Sequence, residues 1–190
     1  MHPYQAFEVL SPLTAEAIED LKSIFSLHQA NAKDTLWHAV EQNYVFWVQT
    51  GLLRAFHTLD GRDITSWFVA QGQFLYSAAA YEVTEVSYTH IQFMEPTTYY
   101  SCSYEALREL YQKHACIDQT GRQLLERLLR RYNHLMYLLR VLSPMERLHY
   151  FEQHYAEIYH SVPQKYVATF LGITPESLSR LRARQRKNGK

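Results

Sequence analysis

Apolar positions along the chain change their period twice, and each regime predicts a different kind of element. In residues 14–29, "TAEAIEDLKSIF" sets Ile18, Leu21, Ile24 and Phe25 on one helical face, with Thr14 as N-cap and Pro12 just before it. From 34 to 100 the chain turns rich in Tyr, Phe, Trp, Val and Thr, broken by short polar turns, which predicts short strands. "NYVFWVQTG" reads as a strand ending at Gly51. "LLRAFHTLDGRDITSWFV" reads as two strands around Asp60-Gly61, a dipeptide suited to a two-residue type I′ hairpin. "YEVTEVSYTHIQFM" alternates over a longer run and stops before Pro96. Short strands with turn signals between them predict a small antiparallel barrel or sandwich.

After Thr98 the helical period returns. "SYEALRELYQKH" predicts a short helix capped by Ser103, and residues 118–142 a longer one. On the long helix Leu124, Leu128, Leu135, Leu138 and Leu142 follow three-four spacing, interrupted by Arg131. Leu125, Leu129, Tyr132, Met136 and Leu139 make a second seam beside it. So broad a stripe exceeds what one neighbour needs. One seam is expected to cover the strands and the other to pair with a second copy, the two helices roughly parallel about a two-fold axis. The first seam, Leu124 to Leu142, is the one assigned to the dimer.

Capping chemistry then punctuates the rest of the chain. Ser143, Pro144 and Glu146 make a capping box that opens a new helix, which places a domain boundary at 143. Ser161 with Gln164 is read as opening the next helix, which runs to about Leu171 and ends at Gly172. Thr174, Pro175 and Glu176 open the last. Two short helices around a Gly-containing turn are the helix-turn-helix layout, with Val167, Ala168, Leu171, Ile173, Leu178 and Leu181 as its small core.

Charge sharpens that picture only through its distribution. Lys plus Arg and Asp plus Glu both number 19, yet Arg180, Arg182, Arg184, Arg186, Lys187 and Lys190 all lie on or just after the last helix. A cationic helix presented in this way can enter the major groove, its first residues meeting base edges and its later ones phosphates. From Thr174 as N-cap, Glu176 and Arg180 share one face, Leu178 and Leu181 turn to the core, and Ser177 sits a quarter-turn from Glu176. Arg can grip guanine O6 and N7, and Glu can accept from cytosine N4, so a G·C-containing half-site is expected.

Here the sequence resembles the cyclic-AMP-receptor/fumarate-nitrate-regulator (Crp/Fnr) superfamily of bacterial transcription factors. The resemblance spans nearly the whole chain: a helix, a β-roll, a long dimer helix and a C-terminal helix-turn-helix. It is sharpest in "VATFLGITPESLSRLR", and extends to "VQTGLLRAFHTLDGRDIT" in the roll and "LSPMERLHYF" at the hinge. The resemblance implies an α+β fold: an antiparallel β-roll (a cupin-like jelly roll) with flanking helices as sensor domain at 1–117, a dimerisation helix at 118–142, and a DNA-binding domain at 143–190. By the same resemblance Glu176 and Arg180 match the base-reading pair, Ser179 occupies the small position before that Arg, and Pro175 departs from the Arg common there. DNA contacts are expected from Thr174, Glu176, Ser177, Ser179, Arg180, Arg182, Arg184 and Lys187. Expected partners are double-stranded DNA carrying a pseudo-palindromic operator, a second copy of the chain, and RNA polymerase; no membrane is expected.

The sensor half departs further from the family. Members that bind cyclic nucleotides hold the phosphate with an Arg backed by a Gly-Glu pair, whereas Gly72 is followed by Gln73 and residues 63–107 contain neither Lys nor Arg. A buried phosphate needs cationic or dense N–H partners to offset its desolvation. Cyclic-nucleotide binding is therefore not expected, no cofactor is identified, and the roll is expected to bind either a different effector, near Trp67, Gly72, Gln73, Phe74, Tyr76, Ser77 and Tyr81, or none. Cys102 and Cys116 lack metal-ligand spacing and read as reduced thiols, with no counterpart to the family's Fe–S cysteines. His149 and His154 are five apart, which does not put two ligands on one helix face, and nothing singles out His38, His57 or His90 as a haem ligand. No metal site, P-loop or nucleophile–base pair is recognisable, which reads as a non-enzyme. No segment has a signal-peptide layout or the length of a membrane span, so a cytoplasmic protein is expected. The chain ends too soon after the last helix for the family's β-wing, which leaves open a ligand-binding module with a degenerate DNA domain, acting through protein contacts.

Overall fold

The computed structural model describes residues 1–36, 44–76 and 90–188. Two short helices, α1 (Pro3–Glu8) and α2 (Ala15–Ile24), lead into eight strands among the described residues. The strands are β1 (Ser26–Ala30), β2 (Thr35–Leu36), β3 (Tyr44–Thr50), β4 (Leu52–Leu59), β5 (Arg62–Ala70), β6 (Phe74–Tyr76), β7 (His90–Phe93) and β8 (Thr97–Ser103). Helices α3 (Tyr104–Lys113), α4 (Ala115–Val141), α5 (Pro144–His154), α6 (Ala156–Ser161), α7 (Gln164–Phe170) and α8 (Pro175–Asn188) complete the chain.

The strands form two antiparallel four-stranded sheets, ordered β1-β8-β3-β6 and β2-β7-β4-β5, which is a β-roll. Period-two alternation decides what each face meets. On β3, Phe46 and Val48 point into the roll with Leu53, Trp67, Leu75, Ile91 and Phe93. Val45 points out, onto a cluster built with Phe7, Leu21, Leu107 and Ile117 of the helices. Asp60 and Gly61 close the β4–β5 hairpin with φ of 50° and 71°, the pair of positive angles that a type I′ turn requires.

Several boundaries follow the local chemistry read from the sequence. Thr14 Oγ1 accepts from Ala17 N at 3.2 Å and Ser103 Oγ from Ala106 N at 3.2 Å. Ser143 and Glu146 form both arms of their capping box, at 3.4 and 2.7 Å. Three readings need correction. Residues 26–30 do not continue the second helix: they form β1, which pairs with β8 from Ser26↔Ser101 to Ala30↔Thr97. The long helix starts at Ala115, three residues before 118. Ser161 is not a cap either: it ends α6, its hydroxyl donating to Ile158 O, and Pro163 precedes α7. Of the strand expected over "YEVTEVSYTHIQFM", residues 81–89 lie outside the described residues.

The C-terminal helices do not stand apart from the roll. Leu148, Phe151, Val167, Ala168, Phe170, Leu171 and Leu178 share one buried cluster with Leu52 and Phe68 of β4 and β5. Phe68 and Phe170 rings lie 5.4 Å apart, and Thr65 N donates to Thr169 Oγ1 at 3.2 Å. Arg54 lies at the centre of this junction, only 1% exposed, its guanidinium 3.5 Å over the Tyr166 ring.

Candidate nucleic-acid interface

Two helices and a tight turn build the surface. Leu171 ends α7, and Gly172 takes φ 67°, a left-handed conformation that costs a residue without Cβ least. Thr174 Oγ1 then accepts from Ser177 N at 3.2 Å and starts α8. Leu178 is buried and Leu181 half-buried against the domain core, which fixes the rotation of α8. Glu176, Arg180, Arg184 and Lys187, at four-four-three spacing, therefore line its exposed face, with Ser179 and Arg186 exposed on either side and Ser177 half-buried.

The inner face holds α8 in place. Gln185 Nε2 donates to Glu152 Oε2 of α5 at 2.6 Å, and Arg182 leans over the Tyr159 ring at 5.2 Å. Arg182 is thus partly a packing residue. A hollow of about 300 Å³ between the starts of α7 and α8 is lined by Gln164, Pro175, Ser179, Arg182 and Arg186. Sequence reasoning took Gln164 only as part of a helix-opening cap, because its place at this hollow depends on how α7 and α8 pack.

The charges on the outer face are unspent. Glu176 and Arg180 form no ion pair with each other, and among the described residues Arg180, Arg184, Arg186 and Lys187 have no hydrogen bond or salt bridge of their own. The Glu176 carboxyl is held below its ordinary value first by its own backbone N–H. The Thr174 hydroxyl and then the charges of Arg180 and Arg62 act in the same direction. It is an ionised acceptor at neutral pH. Arg62, at the β4–β5 hairpin, was not legible as a neighbour of α8.

Of the expected effector residues, Gly72, Gln73, Phe74 and Tyr76 line one cleft outside the roll, and Trp67 does not. Trp67 lies inside the roll and donates from Nε1 to Tyr132 Oη of α4 at 3.1 Å. Phe74 and Tyr76 face outward onto the helices, while Gly72 and Gln73 form the turn before β6. Ser77 and Tyr81 lie outside the described residues, as does His38. Residues 63–107 contain no Lys or Arg, but α4 brings a cation to them: Arg131 donates to Gln73 Oε1 at 3.1 Å and to Phe68 O at 2.9 Å.

On α4 the two seams exchange the parts assigned to them. Leu124 packs on the Phe7–Ile117 cluster, Leu135 touches both the roll core and the C-terminal cluster, and Leu138 is buried. Leu128 lines a cleft beside the roll, and Leu142 is half-buried at the hinge. That seam serves the chain itself. The second seam is the open one: Leu125 is 48%, Leu129 60%, Tyr132 44% and Met136 42% exposed. Only the rotation of α4 distinguishes them, and its neighbours set that rotation.

Comparison with known proteins places this architecture. No family model matches the chain, and no curated protein does. Among solved structures, a putative Crp/Fnr-family transcriptional regulator from Eubacterium rectale superposes with a TM-score of 0.74 at 16% identity, covering 96% of this chain and 88% of that one. A CooA variant from Carboxydothermus hydrogenoformans gives 0.70 at 19%, covering 96% and 84%. FixK2 from Bradyrhizobium japonicum gives 0.69 at 18%, covering 87% and 86%. The chain has the fold of the Crp/Fnr regulators, β-roll, long helix and helix-turn-helix included. Among the described residues no helix is long and apolar enough to cross a membrane.

Proposed function

We propose that the protein is a sequence-specific, DNA-binding transcriptional regulator of Crp/Fnr type that acts as a homodimer. The observation that carries this reading is the outer face of α8, where Glu176, Arg180, Arg184 and Lys187 stand exposed in register beyond a capped N-terminus. Within a solvated helix such groups gain only about 0.2–0.5 kcal/mol per i,i+4 pair. A major groove supplies a partner for each: base edges for Glu176 and Arg180, phosphates for Arg184 and Lys187.

Arg180→Ala should cost about 1–3 kcal/mol on a selected operator and flatten preference at one base step per half-site. Lys187→Ala should weaken binding alike on every sequence and lower the salt slope by about one. Anisotropy titrations on operator and scrambled duplex at two salt concentrations separate the two. Equal losses on both duplexes for Arg180→Ala would make it a phosphate contact and remove it from the reading face.

The effector is proposed to be something other than cyclic AMP. Residues 63–107 contain neither Lys nor Arg, and Arg131 is already committed to Phe68 O and Gln73. A cyclic phosphate in the roll would forgo a charge-assisted bond of roughly 1.5–3 kcal/mol. Calorimetry with cyclic AMP or cyclic GMP should give no saturable heat; a micromolar dissociation constant would contradict this.

A further inference from the structure

Outside the roll, between its β3–β6 face and helices α1 and α4, lies a cleft of about 390 Å³. Its floor is aromatic and aliphatic. The Trp47 and Phe74 rings sit 4.4 Å apart, and Leu124 and Leu128 come from α4. Trp47 Nε1 donates to the carbonyl of Met1, which also lines the cleft. This volume falls in the range of small-molecule sites.

Its charge is one-sided. Arg127 and Arg131 line the cleft, and among the described residues no Asp or Glu does. Arg122 and Arg130 on the same helix each have an i,i+4 carboxylate, Asp118 at 2.7 Å and Glu126 at 3.6 Å. Arg127 has no hydrogen bond or ion pair among the described residues. Burial pushes the Tyr76 phenol up to about 12, so this lining residue stays neutral and does not oppose an anion. An apolar floor with an unspent guanidinium fits a flat apolar body bearing one carboxylate. Such a floor offers little to ribose hydroxyls or purine edges.

We infer that the cleft bounded by Trp47, Phe74, Leu128 and Arg127 binds aromatic carboxylates, and that these are the effectors of the regulator proposed above, on which reading their regulatory role rests. Arg131 provides the route outward. It ties Gln73 of the cleft to the Phe68 carbonyl on β5, and the Phe68 ring packs on Phe151 and Phe170 of the C-terminal domain.

The test titrates the full-length protein, without DNA, with naphthalene-1-carboxylate and its neutral carboxamide, following tryptophan fluorescence and calorimetric heat. The acid should saturate and bind about tenfold or more tighter than the amide, the share that a charge-assisted bond contributes. Arg127→Gln, at an exposed position, should keep its circular dichroism and erase that preference. Leu128→Trp, which fills the cleft, should abolish binding of both. No saturation, equal affinity for acid and amide, or an unchanged Arg127→Gln variant would overturn the inference. A parallel titration of operator DNA keeps the two readings separate. Loss of acid binding with intact DNA binding removes the cleft alone. Acid binding that leaves DNA affinity unmoved removes its regulatory role.

Discussion

Leu129→Glu combined with Met136→Glu is expected to convert the protein from dimer to monomer at micromolar concentration. Both side chains lie on the open seam of α4, a helix of 27 residues and so about 40 Å long. Leu129 is 60% and Met136 42% exposed, so covering each with a second copy contributes about 0.7–1.5 kcal/mol, and a two-fold dimer contains four such sites. Their sum, about 3–6 kcal/mol, is a large share of the ~8 kcal/mol that a micromolar dissociation constant represents. Four buried carboxylates would add a desolvation cost. The inward seam should behave otherwise. Leu138→Ala should lower folding stability by about 2–5 kcal/mol and leave the oligomeric state unchanged. Sedimentation velocity distinguishes the two; a wild type that sediments as a monomer, or a double variant that stays dimeric, contradicts the seam assignment.

Arg54→Leu is expected to cost about 3 kcal/mol of folding stability, the low end for breaking a buried ion pair, because Asp63 keeps some contact with water. Arg54 donates to Asp63 Oδ2 at 2.6 Å, Gln92 Oε1 at 3.0 Å and Thr65 Oγ1 at 3.3 Å. Its guanidinium is sandwiched between Phe56 at 4.0 Å and Tyr166 at 3.5 Å. A leucine fills part of the volume and none of the bonds. Since Tyr166 belongs to α7, the loss should also loosen the helix-turn-helix from β5. Urea unfolding reports the first effect, and hydrogen exchange in α7 the second. An unchanged midpoint would mean that Arg54 offsets its own desolvation and contributes nothing more.

The α4 seams and Arg54 mark where the sequence stops being readable. The helix-turn-helix is legible because its signals are local: the Ser143 box, Gly172 at a positive φ, and Thr174 before Pro175 all act within four residues of themselves. The roll's hairpin at Asp60-Gly61 is legible for the same reason. β1 is not, because "SLHQA" lacks strong alternation and takes its extended form from pairing with β8, some seventy residues away. Both seams of α4 are visible as patterns, but which one turns inward depends on what Leu135 and Leu138 meet in the folded chain. Arg54 looks like a surface residue inside an apolar strand until Tyr166 covers it. Arg127 and Arg131 look like solvated helix charges until the β6 turn comes beside them.

Selection of bound sequences from random duplex DNA by the protein tests the central claim most directly. A two-fold pair of α8 helices should enrich an inverted repeat containing G·C pairs, its half-sites about one helical turn, or 34 Å, apart, with two copies of the chain bound per site. An enriched pool with no inverted repeat, or no enrichment over input at low salt, would contradict it.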